Sequence, residues 1–322
     1  MSAIARYAPP ILSNLPLLHQ GKVRDTFPAQ WPDQNDKQRL PRLPVATDRM
    51  STHNVVHRST IPKKGEVLNA FTIFWMIDVL EKAGILHHLV AYGKRIYDYL
   101  PGEINDYPEN LHYRAIVVKS LDMDLVEFVF RAYLDGNLWT KSYSKGLPNP
   151  YGIELPPGLP RMTCFDTLEG FGGPIFTPTE KSDTDDPLPA VSTEERYREG
   201  TALARRTFNL GRTILNKVDI EEVDGKFEVG VDEDGNRVIG DEALTPDSSR
   251  FTTLSEIKLG EEPKWKDKQI TRNKAEEMWA GGEKVSLEFP PLTIAKQTHA
   301  NIDLFEQVVG MSLHRFQKER LD

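Results

Sequence analysis

Glu228, Asp241 and Glu242 stand at the ends of what reads as a β-hairpin, in which Lys226-Phe-Glu-Val-Gly230 and a run starting at Gly240 flank the turn-rich Asp232-Glu-Asp-Gly-Asn236. Carboxylates so placed can hold Mg²⁺. A hard cation takes oxygen ligands, keeps several waters and is commonly held by one or two carboxylates together with nucleotide phosphates. Just beyond lie Asp247 and Ser248-Ser249-Arg250, whose hydroxyls and guanidinium fork suit a second phosphate. Charge alone favours a plain solvated hairpin over a metal site. A second candidate is Gly21-Lys-Val-Arg-Asp25, where glycine permits close backbone approach and a lysine can reach a phosphate as a compact charge. Neither a Walker A loop nor G-x-G-x-x-G occurs, which disfavours a Rossmann cofactor site. His53, His57, His87 and His88 lack zinc-site spacing, and the absence of G-x-S-x-G removes support for serine hydrolase chemistry.

The elements that must position these residues are legible in outline. Residues 17 to 60 alternate short apolar runs with turn residues and predict the start of an antiparallel sheet, interrupted by a loop from Pro28 to Pro44. Phe71, Phe74, Trp75, Ile77, Val79 and Leu80 predict a core helix over Asn69 to Ala83, ended by Gly84. Two strands are expected over Tyr113–Leu121 and Leu125–Tyr133, divided by Asp122-Met-Asp124. Residues 144 to 192 lack periodicity and read as a long, partly functional loop. Ser192-Thr-Glu-Glu195 has a capping-box pattern and predicts a long helix over Thr193 to Asn216 that feeds the acidic hairpin. From Asn273 onward the tail reads as helices around a break at Phe289-Pro-Pro-Leu292.

With 322 residues the chain can bury a large core or form two lobes around a cleft. Its net charge of −8 with scattered basic residues gives no footprint for nucleic acid or an anionic membrane surface. The single cysteine, Cys164, excludes an intrachain disulfide framework and fits a reducing cytoplasm. Met1-Ser-Ala-Ile-Ala-Arg6 lacks signal-peptide order, and the most apolar stretch, Ala70 to Leu80, is too short to span a membrane.

Taken in order, Gly21-Lys-Val-Arg-Asp25, Val45-Ala-Thr-Asp-Arg49, Pro174-Ile-Phe-Thr-Pro-Thr-Glu-Lys181, Asp224-Gly-Lys-Phe-Glu-Val-Gly230 and the segment Asp241 to Arg250 resemble the SAICAR synthetase family of purine biosynthesis. The resemblance spans about residues 19 to 272. It implies an α+β fold of two lobes with antiparallel sheets and ATP held between them: 1–122 as an N-terminal sheet lobe, 123–322 as a lobe with the metal and acceptor sites. It also implies an ATP- and Mg²⁺-dependent ligase that joins the carboxylate of CAIR, a ribonucleotide, to the amine of L-aspartate. By resemblance, Lys22, Val23 and Arg24 would contact ATP, Met123 would border adenine, and Glu228 and Asp241 would hold Mg²⁺. Lys226, Lys181 and Asp186 would act at the reacting groups. Arg131, Asn137, Ser249, Arg250, Lys268 and Arg272 would bind the acceptor around its phosphate. Whether the chain forms a homo-oligomer stays open.

The chain departs from the family pattern at Ser51-Thr-His-Asn54, where an amide replaces an acid, and at Asp135-Gly-Asn137, where an amide replaces a hydroxyl and an acid stands close to the phosphate site. A His-Asp pair of the mobile loop reads Asp185-Asp186, and Glu-Phe-Gly reads Glu228-Val-Gly230. The ATP half is therefore the better preserved. A paralogous ligase with another acceptor, a small-molecule kinase of the same fold and a non-catalytic nucleotide-binding protein are the competing expectations.

Overall fold

The computed structural model describes residues 12–32, 39–182 and 184–322. The N-terminal segment read for a targeting signal, part of the Pro28–Pro44 loop, and Asp183 lie outside them. Two compact units result. One takes in the described residues up to Lys82, His88–Leu121 and Asp267–Asp322; the other takes in Ala83–His87 and Asp122–Lys266. The chain passes from the first unit to the second at 121/122. Its last 56 residues, expected with the second lobe, cluster instead with the first unit.

In the first unit β1 (His19–Gln20), β2 (Arg24–Pro28) and β3 (Arg42–Ala46) form an antiparallel ladder, and β4 (Arg49–Thr52) and β5 (Val55–Thr60) form a separate hairpin. After α1 (Lys64–Ile73), β6 (Leu89–Ala91) and β7 (Val117–Val118) complete a five-stranded sheet in the order β1-β2-β3-β7-β6. Phe27, Leu43, Val45 and Val117 are fully buried from this sheet, and Ile96 and Leu111 close its core. The helix starts earlier than its apolar spacing suggests, because Gly65 lets it lie on β3: a Cβ there would stand 2.5 Å from the Ala46 carbonyl oxygen. It continues as a π-helical stretch over Phe74–Leu80, and Gly84, with φ +65, follows its last turn as expected. The strand expected over Tyr113–Leu121 shrinks to Val117–Val118, since Leu111–Tyr113 winds into a 3₁₀ turn. Its apolar residues serve burial more than ladder pairing.

The second unit is a seven-stranded antiparallel sheet. Its strands are β8 (Asp122–Met123), β9 (Val126–Arg131), β10 (Ile175–Phe176), β11 (Thr179–Glu180), β12 (Ile220–Val231), β13 (Arg237–Gly240) and β14 (Ser249–Thr253). The long segment expected to be a loop therefore carries two short strands, both paired to β9. The helix expected from Thr193 is two: α2 (Ala190–Arg196) and α3 (Arg198–Leu215), broken at Tyr197. Ser192 lies inside α2, whose N-cap is Pro189, so the capping-box pattern does not cap.

Strand β12 is the spine of this unit, pairing with β14, β9, β13 and β8 along its twelve residues. Alternation puts Gly225, Phe227 and Val229 on one face and Asp224, Lys226 and Glu228 on the other. Phe227 and Phe130 pack on Phe208 of α3, all three with no exposed surface. Each such ring contributes about 1.5–3 kcal/mol by burial. A one-residue slip would expose these rings and turn Lys226 and Glu228 into the core, so the apolar face sets the register of the charged one. The turn is closed by Asp232, whose carboxylate accepts from the backbone N–H of Asp234 and Asn236. The hairpin read from sequence is thus present, with a longer first strand.

Helices α4 (Gln269–Trp279), α5 (Pro291–Val309) and α6 (Leu313–Arg320) return to the first unit. Phe305 of α5 meets Phe71 of α1 edge-on at 5.1 Å and Phe316 of α6 at 5.3 Å. Proline at N1 starts α5, matching the expected break.

Candidate active site

The charged face of β12 carries two clusters. At its far end Lys226 Nζ donates to Glu127 Oε1 at 2.8 Å and to Glu228 Oε1 at 3.0 Å, and Lys181 Nζ donates to Glu228 Oε2. Three elements meet there: Glu127 from β9, Lys226 and Glu228 from β12, and Lys181 from the residue after β11. Burial by itself would raise the Glu228 carboxyl, but the two ammonium groups outweigh it and hold the group well down, at about 2. Burial opposes the charge of Lys226, yet Glu228, Glu127 and Asp241 together push it well above the usual lysine range. Glu228 is accordingly a permanent carboxylate and Lys226 a permanent cation, unsuited to act as a base. Gly240 pairs with Glu228 across the hairpin, and Asp241 follows it with φ +46, a conformation uncommon outside glycine. Asp241 thereby joins the field felt by Lys226. Asp186 is exposed, and its carboxylate accepts from Thr184 at 2.7 Å within its own loop.

Two residues back along β12, Asp224 is shared by two arginines. Arg131 stands directly across from it on β9 and Arg250 across from it on β14, both donating to its carboxylate, with Arg250 Nε at 2.8 Å from Oδ1. Arg131 also donates to Thr177 Oγ1 at 3.0 Å, and Arg250 Nη1 donates to Asp135 at 2.7 Å while its guanidinium lies 4.7 Å above the Trp265 ring. Asp135, the acid that the sequence places beside this cluster, is fully buried and paired to Arg161 as well. Arg161 also reaches Glu262 at 3.2 Å, so three guanidiniums face three carboxylates in one paired network. Gly136, with φ +62, brings its backbone against both arginine tips: a Cβ there would stand 2.7 Å from Arg250 Nη2 and 3.1 Å from Arg131 Nη1. Asn137, the next residue, is exposed at the start of a short helical turn. Ser249 is different. It is 3 % exposed and, by alternation along β14, lies on the opposite face from Arg250, so its hydroxyl is not presented beside the guanidiniums. Met123, half-buried on β8, pairs with Gly230 of β12.

In the first unit the Gly21–Arg24 turn is closed by a Gly21 N–H to Arg24 O bond of 2.7 Å. Lys22 Nζ donates to Asn54 Oδ1 at 2.6 Å, the Val23 carbonyl accepts from the Thr47 hydroxyl at 2.8 Å, and Arg24 opens β2 opposite Ala46. Lys268 is the N-cap residue of α4, and Arg272 lies four residues on, on the same face. Arg272 donates to Gln269 at 3.2 Å.

Sequence reasoning missed Glu127, Asp224 and Arg49. Glu127 could have been found from period-2 alternation with Arg131 on one strand. The other two carried no local signal, because their partners lie at least 24 residues away.

The SAICAR synthetase family model matches residues 17–288. The chain belongs to the SAICAR synthetase family. It is 31 % identical over 313 residues to a phosphoribosylaminoimidazole-succinocarboxamide synthase of Saccharomyces cerevisiae, covering 92 % of this chain and 95 % of that one. A Xylella fastidiosa enzyme of the same name is 34 % identical over 322 residues, covering 94 % and 97 %. The fold resembles that of the SAICAR-synthase from Saccharomyces cerevisiae complexed with SAICAR, with TM-score 0.78 at 28 % identity over 95 % of this chain and 99 % of that one. A SAICAR synthetase in complex with ADP shares the fold, with TM-score 0.59 at 20 % identity over 91 % of this chain and 98 % of that one. The family's α+β architecture is thus this chain's own. Among the described residues no helix is long and apolar enough to cross a membrane.

Proposed function

We propose that this protein is an ATP-dependent ligase that joins the carboxylate of CAIR to the amine of L-aspartate, releasing SAICAR, ADP and phosphate, in purine biosynthesis. The observation that carries the reading, beside family membership over most of the chain, is the pair of charge clusters on one face of β12. Asp224 and Glu228 are four residues apart, roughly 13 Å at ~3.3 Å per residue. That spacing suits an acceptor whose phosphate lies at Arg131 and Arg250 and whose carboxylate lies near Lys226 and Lys181.

A carboxylate is a poor electrophile. Transfer of the ATP γ-phosphoryl group to a carboxylate oxygen of CAIR breaks the bond to ADP and makes an acyl phosphate. The aspartate amine then attacks the carbonyl carbon, the C–N bond forms, phosphate leaves with the C–O electron pair, and the nitrogen gives up its proton. Such chemistry depends on placement and on charges preset where negative charge develops. Lys226 and Lys181, held by Glu127 and Glu228, supply those charges, and Asp186 belongs to the same loop as Lys181. Lys22, with the backbone of Val23 and Arg24, contacts the ATP phosphates, and Met123 borders adenine. Asn137, Lys268 and Arg272 add polar contacts to the acceptor; Ser249, turned to the core, is left out.

Glu228 and Asp241 suit Mg²⁺, being oxygen donors of which Glu228 is ionised across the whole working pH range. Among the described residues no group of three or more His, Cys, Asp or Glu is arranged to hold a metal, so phosphate and water oxygens would complete the shell. The ion would neutralise charge on the transferring phosphates. The acid at Asp135 is paired with Arg161 and Arg250.

Incubation of the purified protein with ATP, Mg²⁺, CAIR and L-aspartate should yield ADP and the succinocarboxamide in equal amounts, with neither formed when CAIR is omitted. No product under conditions where a known SAICAR synthetase turns over would end the proposal. A stable phosphorylated CAIR formed without any amine would replace the ligase by a kinase.

A further inference from the structure

The Lys22 turn is held by the chain's own side chains. Arg49 of β4 donates from Nη2 to the Gly21 carbonyl at 3.1 Å and from Nε toward the Lys22 carbonyl at 3.4 Å. Its remaining donors grip Asp25 at 3.0 and 2.6 Å. Thr47 holds the Val23 carbonyl with its N–H and its hydroxyl. Three consecutive carbonyls are thus tied to β4 and the residues before it, and the fully buried Asp25 carboxylate is occupied by Arg49. What orients the tip of Lys22 lies elsewhere, in the β4–β5 hairpin. That hairpin turns through two residues, His53 and Asn54, at φ +47 and +65, so position 54 must accept a left-handed backbone. Glycine, asparagine and aspartate all do so. Among them only asparagine offers a neutral oxygen, and its Oδ1 stands 2.6 Å from Lys22 Nζ.

We propose that Asn54 is a positioning residue for the nucleotide: its amide oxygen orients the Lys22 ammonium without neutralising it, leaving the charge for a triphosphate. The inference rests on the reading of Lys22 as a phosphate contact. A carboxylate at the same place would hold Lys22 equally well but would pair its charge and repel the incoming phosphates. A glycine would keep the turn and release the lysine.

Steady-state kinetics of Asn54→Asp, Asn54→Gly and Lys22→Met, with ATP varied, separate these roles. Asn54→Asp should raise KM for ATP about three- to fivefold at low salt, the scale of an exposed ion pair, with a smaller change in kcat. The increase should shrink toward wild type as ionic strength rises. Asn54→Gly should also raise KM, by a salt-independent factor of about two. In the Lys22→Met background Asn54→Gly should have no effect on KM, and Asn54→Asp should keep only the salt-sensitive repulsion of the phosphates. If Lys22→Met alone leaves KM for ATP unchanged, the assignment of Lys22 fails. If Lys22→Met raises KM while Asn54→Asp and Asn54→Gly match wild type, Asn54 is a turn residue only and the proposal is overturned. Because aspartate and glycine both tolerate the turn, melting temperatures close to wild type are expected for each.

Discussion

Gly136 gives the sharpest test of how the proposed acceptor site is built. Alanine at this position incurs two costs. A left-handed backbone costs an L-residue about 1–2 kcal/mol, and φ here is +62. The new methyl would also stand 2.7 Å from Arg250 Nη2, well inside the ~3.5–4 Å of a comfortable contact. An arginine tip can normally swing aside, but this one is fastened to Asp224 and Asp135. Giving up one charge-assisted hydrogen bond adds about 1.5–3 kcal/mol. The total is about 2.5–5 kcal/mol. Gly235 is the natural control, because its φ is +81 and nothing lies within 4 Å of its added Cβ, so Gly235→Ala incurs the backbone cost alone. Thermal unfolding of both variants should show a drop in Tm for Gly136→Ala larger by about 3–12 °C, at ~2–4 °C per kcal/mol for the excess. KM for CAIR should rise in Gly136→Ala and not in Gly235→Ala. Equal melting temperatures in the two variants, with KM for CAIR unchanged, would refute the claim that the glycine gap fixes the guanidinium pair.

Further outcomes are expected. Asp241→Asn removes a charge from the Lys226 cluster and one of the two proposed Mg²⁺ ligands, so turnover should fall tenfold or more and the Mg²⁺ concentration for half-maximal rate should rise, with Tm nearly unchanged; activity near wild type would undo the metal assignment. His57 is buried, receives the Leu287 N–H on Nδ1 and pairs with Thr52 through Nε2; burial, helped by His53, lowers it from 6.5 to about 4. A depressed pKa means that the folded state refuses a proton the unfolded chain accepts, so stability held above pH ~6.5 is lost as pH falls toward 4, by about 1–3 kcal/mol in all. His57→Gln should flatten that acid limb of a chemical-denaturation series, and an unaltered limb would count against it. Glu222 carries the opposite sign. Its buried carboxyl is pushed well above the usual range by loss of solvent, so its contribution is complete below the ordinary carboxylate pKa and declines as pH rises above about 5. Glu222→Gln should therefore be more stable relative to wild type at pH 8 than at pH 4, and the reverse trend would exclude a neutral acid at this position.

Several candidate residues were readable because they keep local company. Lys226 and Glu228 share a strand face by simple alternation, Asp241 follows the partner strand of the same hairpin, and Lys22 follows a glycine in a turn. Elements set by tertiary contact were misjudged in proportion to that dependence. The helix at Lys64 begins five residues before its apolar pattern, because only Gly65 can lie against the Ala46 carbonyl. Ser192 reads as a cap and is helix interior, since α2 starts at Ala190 after Pro189. Residues 144–192 look structureless because strands of two residues carry no periodicity, yet β10 and β11 complete the edge of β9.

By itself the sequence determined the kinds of chemistry available: which cations, carboxylates and glycines exist, their spacing along each strand, and the family to which that order belongs. Only the tertiary structure decided how those charges are spent. Asp135 reads as an intruder beside a phosphate site until Arg161 and Arg250 are seen to neutralise it. Ser249 reads as a ligand until the alternation of β14 turns it to the core. Glu228 reads as a hairpin-end carboxylate, and only the fold brings Lys226 of β12 and Lys181, just after β11, onto it. The physical reason is the same in each case: Coulomb energy and burial depend on distances in space, and the partners that set them lie 24 to 115 residues apart in the chain, apart from the local pair on β12.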